Sequence, residues 1–440
     1  MTTHPRRITI IGGGLAGPLL ACLMAEQGWQ VHVLERRGDP RRAGYSGGRS
    51  INLALSARGL QALDRIGLKQ RVLDTVVPMQ GRIMHDREGR TAYSPYSCIE
   101  GEAINSVSRG QLNCILLDAA EAHENVTIDF DVECHSIDVP EATVSCSING
   151  GAPSELKADL IVGADGAGSM VRHAMDAIER IDAGTEFIDS GYKELTIPAA
   201  DDGSFQLESH ALHIWPRGHY MMIALPNNDG SFTCTCFWPH EGPESFASVD
   251  SPEAADSFFK AHFGDVVPIM PNLVEEFVAN PVGPLGTVHC TCYHHGSTAV
   301  LIGDAAHAIV PFFGQGMNAA FQDCLRLADC LDAHDDQLAA LAAYDATQRP
   351  DGDAIGEFSL SNFIEMRDKT ASPYFRLLQR VRKQLSRLFP NLYMPRYNLV
   401  SFTTIPYATV RRRLARRRLL GQLAAVWAIA CLAVVLLSII

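Results

Sequence analysis

The chain has 440 residues, of which 47% are hydrophobic and 20% are charged, and its formal net charge is −13. This composition predicts a globular protein with a sizeable core and excludes disorder over most of the chain, and the length favours two or three structural units. Residues 411–418 contain six arginines and no acid, so the remainder carries −13 − 6 = −19, which argues against nucleic-acid binding because that function needs a basic face.

The N-terminal segment has the pattern of a strand, a tight turn, a helix and a second strand. Residues 6–11 lead into an apolar run at 8–11, which ends at three consecutive glycines, residues 12–14. Apolar residues then recur at helical spacing as far as Gly28, and residues 31–34 form a second apolar run. The change of period from 2 to 3.6 and back predicts a βαβ unit.

The turn of this unit carries a G-x-G-x-x-G motif that follows a strand and opens a helix. The first glycine permits the tight turn, the second lets a pyrophosphate approach the backbone, and the third allows close helix packing. Glu35, eighteen residues after the last glycine, is placed to accept hydrogen bonds from ribose hydroxyls. This motif alone leaves FAD and NAD open. The predicted dinucleotide contacts are Gly12, Gly14, Leu15, Ala16, Gly17, Glu35 and Arg36.

The middle of the chain predicts helices followed by a sheet. Residues 40–50 predict a long loop, and residues 56–76 and 109–122 predict helices. From about residue 192 to residue 236 the segments alternate, with strand candidates at 213–215 and 232–238. Alternation of this kind predicts a mostly antiparallel sheet inserted into the nucleotide-binding domain.

The C-terminal half returns to the α/β pattern and then becomes helical. Residues 298–302 predict a buried strand, and residues 316–331 a helix. Residues 340–420 predict helices broken at the prolines 350, 390 and 395, since proline removes a helical hydrogen bond.

The twelve cysteines include no C-x-x-C pair. Cys234 with Cys236, and Cys290 with Cys292, form C-x-C pairs, whose side chains point to one face of a strand. A metal site built from them stays open as an alternative, but the pattern favours buried thiols in a reducing cytosol, and we expect no metal.

Two later segments favour FAD over NAD. Residues 158–170, ADLIVGADGAGSM, and residues 299–321, AVLIGDAAHAIVPFFGQGMNAAF, each continue a buried strand into a glycine-rich turn. They resemble the second and third fingerprints of the para-hydroxybenzoate-hydroxylase-like flavin monooxygenases. The resemblance implies that Asp165 serves FAD and the transient nicotinamide cofactor, and that Asp304 binds the ribityl chain. It also implies that turn 314–318 directs N–H groups and a helix N-terminus towards the flavin N1/C2=O edge, stabilising the anionic reduced flavin.

Further segments resemble one branch of that group, the kynurenine 3-monooxygenases. They are GRSINLALS (48–56), YKEL (192–195), HIWPRG (213–218), MMIALP (221–226), NFIEMRD (362–368) and the stretch 397–407, and the similarity runs from about residue 7 to residue 410. The resemblance implies an FAD-dependent enzyme that hydroxylates L-kynurenine to 3-hydroxykynurenine with NADPH and O₂, through a flavin C4a-hydroperoxide. No side chain would perform the oxidation, so the protein would bind and orient the ring and exclude water.

The same resemblance assigns individual residues. Arg82 and Tyr96 would bind the amino-acid carboxylate, which suits the fork of a guanidinium. Asn362 and Tyr397 would complete the polar contacts. The predicted substrate slot is lined by Phe237, Phe312 and Met366 with Glu365 nearby, and further FAD positions are Ala54, Arg109, Asp304, Gly316, Met317 and Asn318. For His307, which follows the Gly-Asp pair, we expect a structural role.

The C-terminal tail, residues 423–440, contains no charged residue, and the arginine cluster 411–418 precedes it. A helix of this length just crosses the hydrocarbon core, and the positive-inside rule keeps the arginines cytosolic. We therefore predict a tail anchor with a cytosolic body, in the inner membrane of a bacterium or the mitochondrial outer membrane of a eukaryote. The alternative is a buried core or oligomerisation helix.

The predicted fold class is α/β: a Rossmann-type FAD-binding domain, an inserted mostly antiparallel substrate sheet, a helical C-terminal region and a transmembrane helix. The predicted boundaries are 1–75, 106–180 and 285–345 for the FAD-binding domain, 76–105 and 181–284 for the sheet domain, 346–410 for the helical region, 411–418 for the basic segment and 419–440 for the anchor.

Two other functions stay open from the sequence. A related hydroxylase or reductase could act on a lipid-soluble aromatic or prenyl substrate, although Arg82 with Tyr96 favours a polar, carboxylated one. A catalytically silent flavoprotein could serve as a membrane-tethered sensor. The oligomeric state has no signature in the sequence.

Overall fold

The computed structural model describes residues 5–43, 52–97, 99, 101–364 and 394–437. The strands, in chain order, are β1 (Arg7–Ile11), β2 (Gln30–Leu34), β3 (Asn52–Leu55), β4 (Val77–Met79), β5 (Gly81–His85), β6 (Thr91–Pro95), β7 (Ile104–Ser108), β8 (Val126–Asp129), β9 (Val132–Asp138), β10 (Thr143–Ile148), β11 (Ser154–Lys157), β12 (Leu160–Gly163), β13 (Gly184–Ile197), β14 (Ala211–Pro216), β15 (Met221–Pro226), β16 (Phe232–Pro239), β17 (Gly283–His289), β18 (His294–His295) and β19 (Ala299–Leu301).

The α-helices are α1 (Ala16–Glu26), α2 (Pro40–Ala43), α3 (Ala57–Arg65), α4 (Lys69–Leu73), α5 (Arg109–Glu121), α6 (Met170–Ile178), α7 (Pro252–His262), α8 (Leu273–Ala279), α9 (Asp304–His307), α10 (Gly316–Ala333), α11 (Gln337–Ile364), α12 (Arg396–Ser401) and α13 (Tyr407–Leu437). Two short 3₁₀ helices, Val267–Ile269 and Pro311–Phe313, complete the described elements.

A six-stranded sheet in the order β18–β19–β12–β1–β2–β8 forms the nucleotide-binding half. Its strands are parallel except β18, which is antiparallel to β19. The register pairs Ile11 with Gly163, and Gly163 with Leu301. The three glycine-containing turns that follow these strands therefore leave the sheet side by side at its carboxyl edge, where α/β sheets bind their ligands.

A seven-stranded sheet in the order β17–β13–β16–β15–β14–β5–β6 forms the other half, and it is antiparallel except for the pair β14 and β5. Side chains alternate between its faces. Cys236 and Trp238 lie on the back face, in a core cluster that includes Phe259 of α7 and Phe277 of α8. Phe237 between them therefore points to the front face.

Two smaller sheets flank these halves. They have the strand orders β11–β10–β9 and β3–β7–β4, and the sequence patterns did not predict them. The second sheet matters for the site because β3 is paired with β7 directly before α5.

The observed helices correct two sequence predictions. The helix predicted over residues 56–76 is two helices, α3 and α4, separated at Gly67, which has a φ of +70°. Pro350 was predicted to break a helix but lies inside α11. The lost hydrogen bond is tolerated there because Gln348, Asp351 and neighbouring residues of this turn are buried against other elements.

The C-terminal helix α13 runs from Tyr407 to Leu437. Among the described residues, no helix is both long and apolar enough to cross a membrane. The predicted transmembrane tail is thus not supported by the helix as described, although the uncharged run 423–440 continues beyond it.

A buried ion pair joins the third glycine-rich segment to the helices behind it. Nε2 of His307 lies 2.6 Å from Oδ2 of Asp323, which also accepts a hydrogen bond from the Gly303 backbone at 2.8 Å. Gln348 donates to the other carboxylate oxygen at 2.7 Å. His307 therefore has a structural contact, as predicted. Burial by itself lowers the pKa of His307, but the Asp323 carboxylate outweighs it and holds that pKa above its ordinary value.

This pair makes stability depend on pH. Because the folded pKa of His307 is raised, its contribution is complete below the unfolded imidazole value of about 6.5 and is lost as pH rises through the folded pKa. We expect His307→Gln, which can still donate to Asp323 but cannot become a cation, to lower the melting temperature more at pH 6 than at pH 9. Each kcal/mol lost from the free energy of unfolding corresponds to a decrease of about 2–4 °C in the melting temperature.

Thermal unfolding at both pH values measures this difference. The control is His289→Gln, at an exposed imidazole on β17. A melting-temperature deficit of His307→Gln that is equal at pH 6 and pH 9 would contradict the ion pair.

Candidate active site

The first glycine turn has the shape that a dinucleotide phosphate requires. Gly12 has a φ of +112°, and a Cβ there would lie 2.4 Å from the Ala164 oxygen. A Cβ on Gly17 would lie 2.0 Å from the Gly12 oxygen, whereas one on Gly14 would have no atom within 4 Å. The outer glycines are thus required by packing, and the middle one faces open space where a phosphate fits.

The helix behind this turn has its N-terminus at the site, where its N–H groups attract an anion. Helix α1 begins at Ala16, and its N-cap, Leu15, makes no side-chain cap. Its first N–H groups therefore point towards the same open space without a side-chain acceptor from the cap, as in anion sites at helix N-termini.

Glu35 lies at the end of β2, beside the glycine turn. Its carboxylate accepts hydrogen bonds from the Gly13 N–H at 2.7 Å and from the backbone and Nε of Arg37 at 2.9 and 2.8 Å. Burial raises the pKa of Glu35, but the Arg37 hydrogen bonds outweigh it and hold that pKa below its ordinary value. The carboxylate is an ionised acceptor at neutral pH. Arg36, which the sequence assigned to the cofactor, is exposed.

Asn113 and Arg37 are two residues that the sequence analysis missed. Nδ2 of Asn113 donates to the Gly13 and Gly14 carbonyl oxygens, each at 3.0 Å, and so holds the turn open from the side of α5. Its position four residues after Arg109 places both on one helix face, a signal that could have been used. Arg109 is half-buried at the start of that helix. Burial raises the pKa of the Tyr192 phenol, and the nearby Arg109 guanidinium offsets part of that rise.

Asp165 follows β12 at the same sheet edge. Its Oδ2 accepts hydrogen bonds from the Met170 N–H at 2.6 Å, while Oδ1 is buried with no hydrogen-bond partner among the described residues. Burial raises the pKa of this carboxyl. A buried oxygen without a partner is costly unless a ligand satisfies it, so Asp165 fits the hydroxyl-rich cofactor that the sequence predicts.

The third fingerprint brings distant parts of the chain together. Nδ2 of Asn318 donates to the Ala54 carbonyl at 2.8 Å and to the Gly314 carbonyl at 3.0 Å. Its Oδ1 accepts from the Ser56 N–H at 2.9 Å. Asp304 is exposed, with one carboxylate oxygen 4.0 Å from where a Cβ of Gly316 would lie. Met317 is half-buried against the main core.

The geometry of these turns fits FAD. Gly303 and Gly314 have φ values of +59° and +63°, which a side chain rarely adopts. Helix α10 begins at Gly316 after an N-cap without a side-chain cap bond. Three open turns at one sheet edge, two helix N-termini and an ionised ribose acceptor are the features that such a cofactor needs.

The polar end of the candidate substrate site is a guanidinium beside two stacked phenol rings. The Arg82 guanidinium lies 5.0 Å from the Tyr96 ring and 4.9 Å from the Tyr397 ring, within cation–π range. The two rings are stacked, with centroids 5.1 Å apart and an interplanar angle of 11°. Burial raises the pKa of Tyr96 well above its ordinary value, so the phenol stays a hydrogen-bond donor.

The apolar end is a row of phenylalanines. The Phe237 and Phe312 ring centroids are 4.9 Å apart, and those of Phe312 and Phe363 are 4.2 Å apart. Asn362 donates from Nδ2 to the Phe312 carbonyl at 2.7 Å. It therefore supports the slot wall, and its contact with substrate stays a prediction. Glu365 and Met366 lie outside the described residues.

Ile223, which the sequence patterns did not single out, connects the two ends. Ile223 packs in the cluster of Phe237 and Phe312 and also in the cluster of Tyr96 and Tyr397. Ala54 packs in the second cluster, which brings the predicted flavin position next to the polar end. Ile223 lies in the MMIALP segment, whose resemblance was noted without assigning this side chain.

The cysteines do not form a metal centre within the described ranges. There, no group of three or more His, Cys, Asp or Glu side chains could hold a metal ion. Burial raises the pKa of Cys236 well above its ordinary value, which keeps the thiol protonated.

Comparisons with known proteins agree with this geometry. A sequence model of the FAD binding domain family matches residues 6–359. Kynurenine 3-monooxygenase of Stenotrophomonas maltophilia is 45% identical over 421 residues, covering 95% of this chain and 92% of that protein. The enzyme of the same name from Salinispora tropica is 45% identical over 425 residues, covering 96% and 94%.

Solved structures support the fold. 2-Methyl-3-hydroxypyridine-5-carboxylic acid oxygenase superposes with a TM-score of 0.70 at 21% identity, covering 84% of this chain and 95% of that one. PqsL of Pseudomonas aeruginosa, in complex with 2-aminobenzoylacetate, gives a TM-score of 0.67 at 22% identity, covering 83% and 97%. The α/β fold of FAD-binding hydroxylases, predicted from the sequence, is confirmed.

These sequence comparisons show that the chain belongs to the kynurenine 3-monooxygenase family of FAD-dependent aromatic hydroxylases.

Proposed function

We propose that this protein hydroxylates L-kynurenine to 3-hydroxykynurenine, consuming NADPH and O₂ and releasing NADP⁺ and water. The observation that carries the proposal is that the Arg82–Tyr96–Tyr397 group and the Phe237–Phe312 cluster adjoin each other through Ile223. A site with a cation at one end and aromatic rings at the other suits a substrate with a carboxylate and an aromatic ring. The name of the relatives supports the choice of kynurenine.

Within this proposal Arg82 binds the substrate carboxylate. Its guanidinium lies beside the stacked Tyr96 and Tyr397 rings, and a guanidinium fork suits the two oxygens of a carboxylate. Tyr96 and Tyr397 supply phenol donors beside it. A prenyl or lipid-soluble substrate would leave this buried polar group without an anion, which disfavours the reductase alternative.

The phenylalanine row orients the aniline ring and excludes water. Phe312 is held through its carbonyl by Asn362, and Phe237 is held by the register of β16. Bound FAD supplies the redox chemistry, accepting hydride from NADPH and activating O₂. We propose Glu35 and Asn113 for the adenosine end, Asp165 and Asp304 for the central part, and the Gly316, Met317 and Asn318 turn for the flavin end.

The decisive experiment is NADPH oxidation by the purified, FAD-loaded protein with and without L-kynurenine. We expect kynurenine to accelerate NADPH oxidation and to yield a product heavier by one oxygen atom in mass spectrometry. Stimulation without an oxygenated product would make kynurenine an effector and contradict the proposal.

Arg82→Met should separate carboxylate binding from ring binding. Loss of a charge-assisted hydrogen bond costs about 1.5–3 kcal/mol, so we expect kcat/KM for L-kynurenine to fall about 10- to 150-fold, mainly through KM. Steady-state kinetics with kynurenine as the varied substrate measures the change. Arg87→Met, at an exposed arginine on the following turn, is the matched control. Equal KM values in the two variants would remove Arg82 from the site.

We also propose that the C-terminal helix anchors the protein to a membrane with the body on the cytosolic side. The support is the uncharged run 423–440, the arginine cluster 411–418 and a helix that continues without a break from Tyr407 to Leu437. An arginine cluster beside an apolar helix favours the cytosolic face of an anionic membrane.

Flotation with vesicles of cell lipid tests the anchor. We expect the full chain to float with the vesicles, and a chain that ends at Arg418 to stay in the dense fractions while keeping its kynurenine-stimulated activity. Co-flotation of the shortened chain in high salt would show that the removed residues are not the anchor.

A further inference from the structure

The first turn of α13 is tied by a buried hydrogen bond to the turn that we assign to the flavin. The Tyr407 hydroxyl donates to Oε1 of Gln315 at 2.9 Å, and the Ser56 hydroxyl lies 3.4 Å from the same oxygen. Tyr407 and Gln315 are both about 1% exposed. The C-terminal helix and the end of β3 therefore meet at one amide, directly before Gly316.

Gln315 belongs to the same hydrogen-bonded unit as Asn318. Gln315 is the N-cap of α10, and its carbonyl accepts from the Ala319 N–H at 2.8 Å. Asn318 binds the Ala54 and Gly314 carbonyls. A displacement of Gln315 would consequently move the backbone N–H groups that open α10.

A buried cation holds Tyr407 in place. Arg58 is fully buried, and its guanidinium carbon lies 3.9 Å from the centre of the Tyr407 ring. It donates to the Val400 and Ile405 carbonyl oxygens. Asp351, also buried, accepts from the Ala408 N–H at 2.8 Å and interacts electrostatically with Arg58.

This arrangement is more than packing requires. Burying a guanidinium and a carboxylate is costly, and an apolar cluster of the same volume would stabilise the helix junction at least as well. A phenylalanine at position 407 would fill the ring volume and keep the face that contacts Arg58. The hydroxyl is needed only for the hydrogen bond to Gln315.

We propose that Tyr407, held by Arg58, is a positioning residue for the flavin. Its hydroxyl sets Gln315, and through Gln315 the orientation of the N–H groups at the start of α10 that receive the N1/C2=O edge. The proposal rests on the proposed function, because it takes this turn as the flavin end of the site. The C-terminal helix then contributes to the active site as well as to any anchoring.

The test compares Tyr407→Phe with Tyr220→Phe in the full-length protein. Tyr220 is about 2% exposed and lies on the back of the seven-stranded sheet. Its hydroxyl donates to Oε1 of Glu244 at 3.4 Å and lies 2.8 Å from Nδ1 of His262. Each variant loses one buried phenol hydroxyl, so we expect similar decreases in the melting temperature of the FAD-free proteins.

Three measurements on bound flavin distinguish positioning from stability. We expect Tyr407→Phe alone to weaken FAD binding about three- to tenfold in a fluorescence titration, which corresponds to one net hydrogen bond. We also expect a shifted flavin absorption band and a more negative flavin reduction potential, because misaligned N–H groups stabilise the anionic reduced form less. Tyr220→Phe should match the wild type in all three.

Wild-type values in all three measurements for Tyr407→Phe would overturn the proposal. If Tyr407→Phe does not fold, Gln315→Met replaces it in the test. This variant removes the hydrogen-bond acceptor with a side chain of similar volume, and the same three measurements then support or overturn the proposal. In folded proteins, the double variant should lose no more FAD affinity than the more impaired single variant, and additive losses would contradict a shared hydrogen bond.

The proposed function fails independently of this test. A wild-type protein that does not hydroxylate kynurenine, combined with weaker FAD binding by Tyr407→Phe, would reject the substrate and retain the positioning role. If the wild type hydroxylates kynurenine and Tyr407→Phe binds FAD as the wild type does, the substrate is retained and the positioning role is rejected.

Discussion

The site depends on one side-chain amide, that of Asn318. A turn that accepts a flavin edge must leave its N–H groups without intramolecular acceptors, so its backbone cannot be held by the hydrogen bonds of a regular element. Asn318 solves this by binding carbonyls on both sides of the turn, Ala54 and Gly314, and by accepting the Ser56 N–H. The turn is thereby held to a separate sheet while its own donors stay available.

Because side chains alternate along each strand, one face of the seven-stranded sheet carries the candidate substrate wall and the other packs against the aromatic core. Cys236 and Trp238 extend into the aromatic core behind the sheet, and Phe237 between them faces the cleft. A one-residue change of register would exchange these faces and remove the slot. The aromatic core therefore positions the substrate wall, because it is the burial of Trp238 that makes the register unique.

The buried charged side chains of this protein hold backbone segments in place. His307 with Asp323 fixes the segment after Gly303, and Arg58 with Asp351 fixes the start of α13. The first pair holds backbone within the third fingerprint, at Gly303. The second holds backbone at Val400, Ile405 and Ala408, next to Tyr407. Hydrogen bonds to charged groups are directional and strong in a low dielectric, so they suit segments that glycines leave conformationally free.

The sequence by itself determined the nucleotide-binding half and the family. Glycine positions and strand periodicity depend on a few neighbouring residues, so Gly12 and Glu35 could be assigned from the residues alone. Asp165 and the Asn318 turn were assigned through the resemblance of their segments to the family fingerprints. Arg82, Tyr96 and Tyr397 could be assigned only through resemblance, since no local pattern indicates that residues so far apart in the chain share a cleft.

Only the tertiary structure decided which side chains meet. It placed Arg37 on Glu35, Asn113 on the glycine turn, Ile223 between the two ends of the cleft and Tyr407 on Gln315. It also kept Pro350 inside a helix, against the local propensity. The physical reason is the same in each case: these contacts join elements that are distant in sequence, and their energy exists only once the sheets and helices have packed.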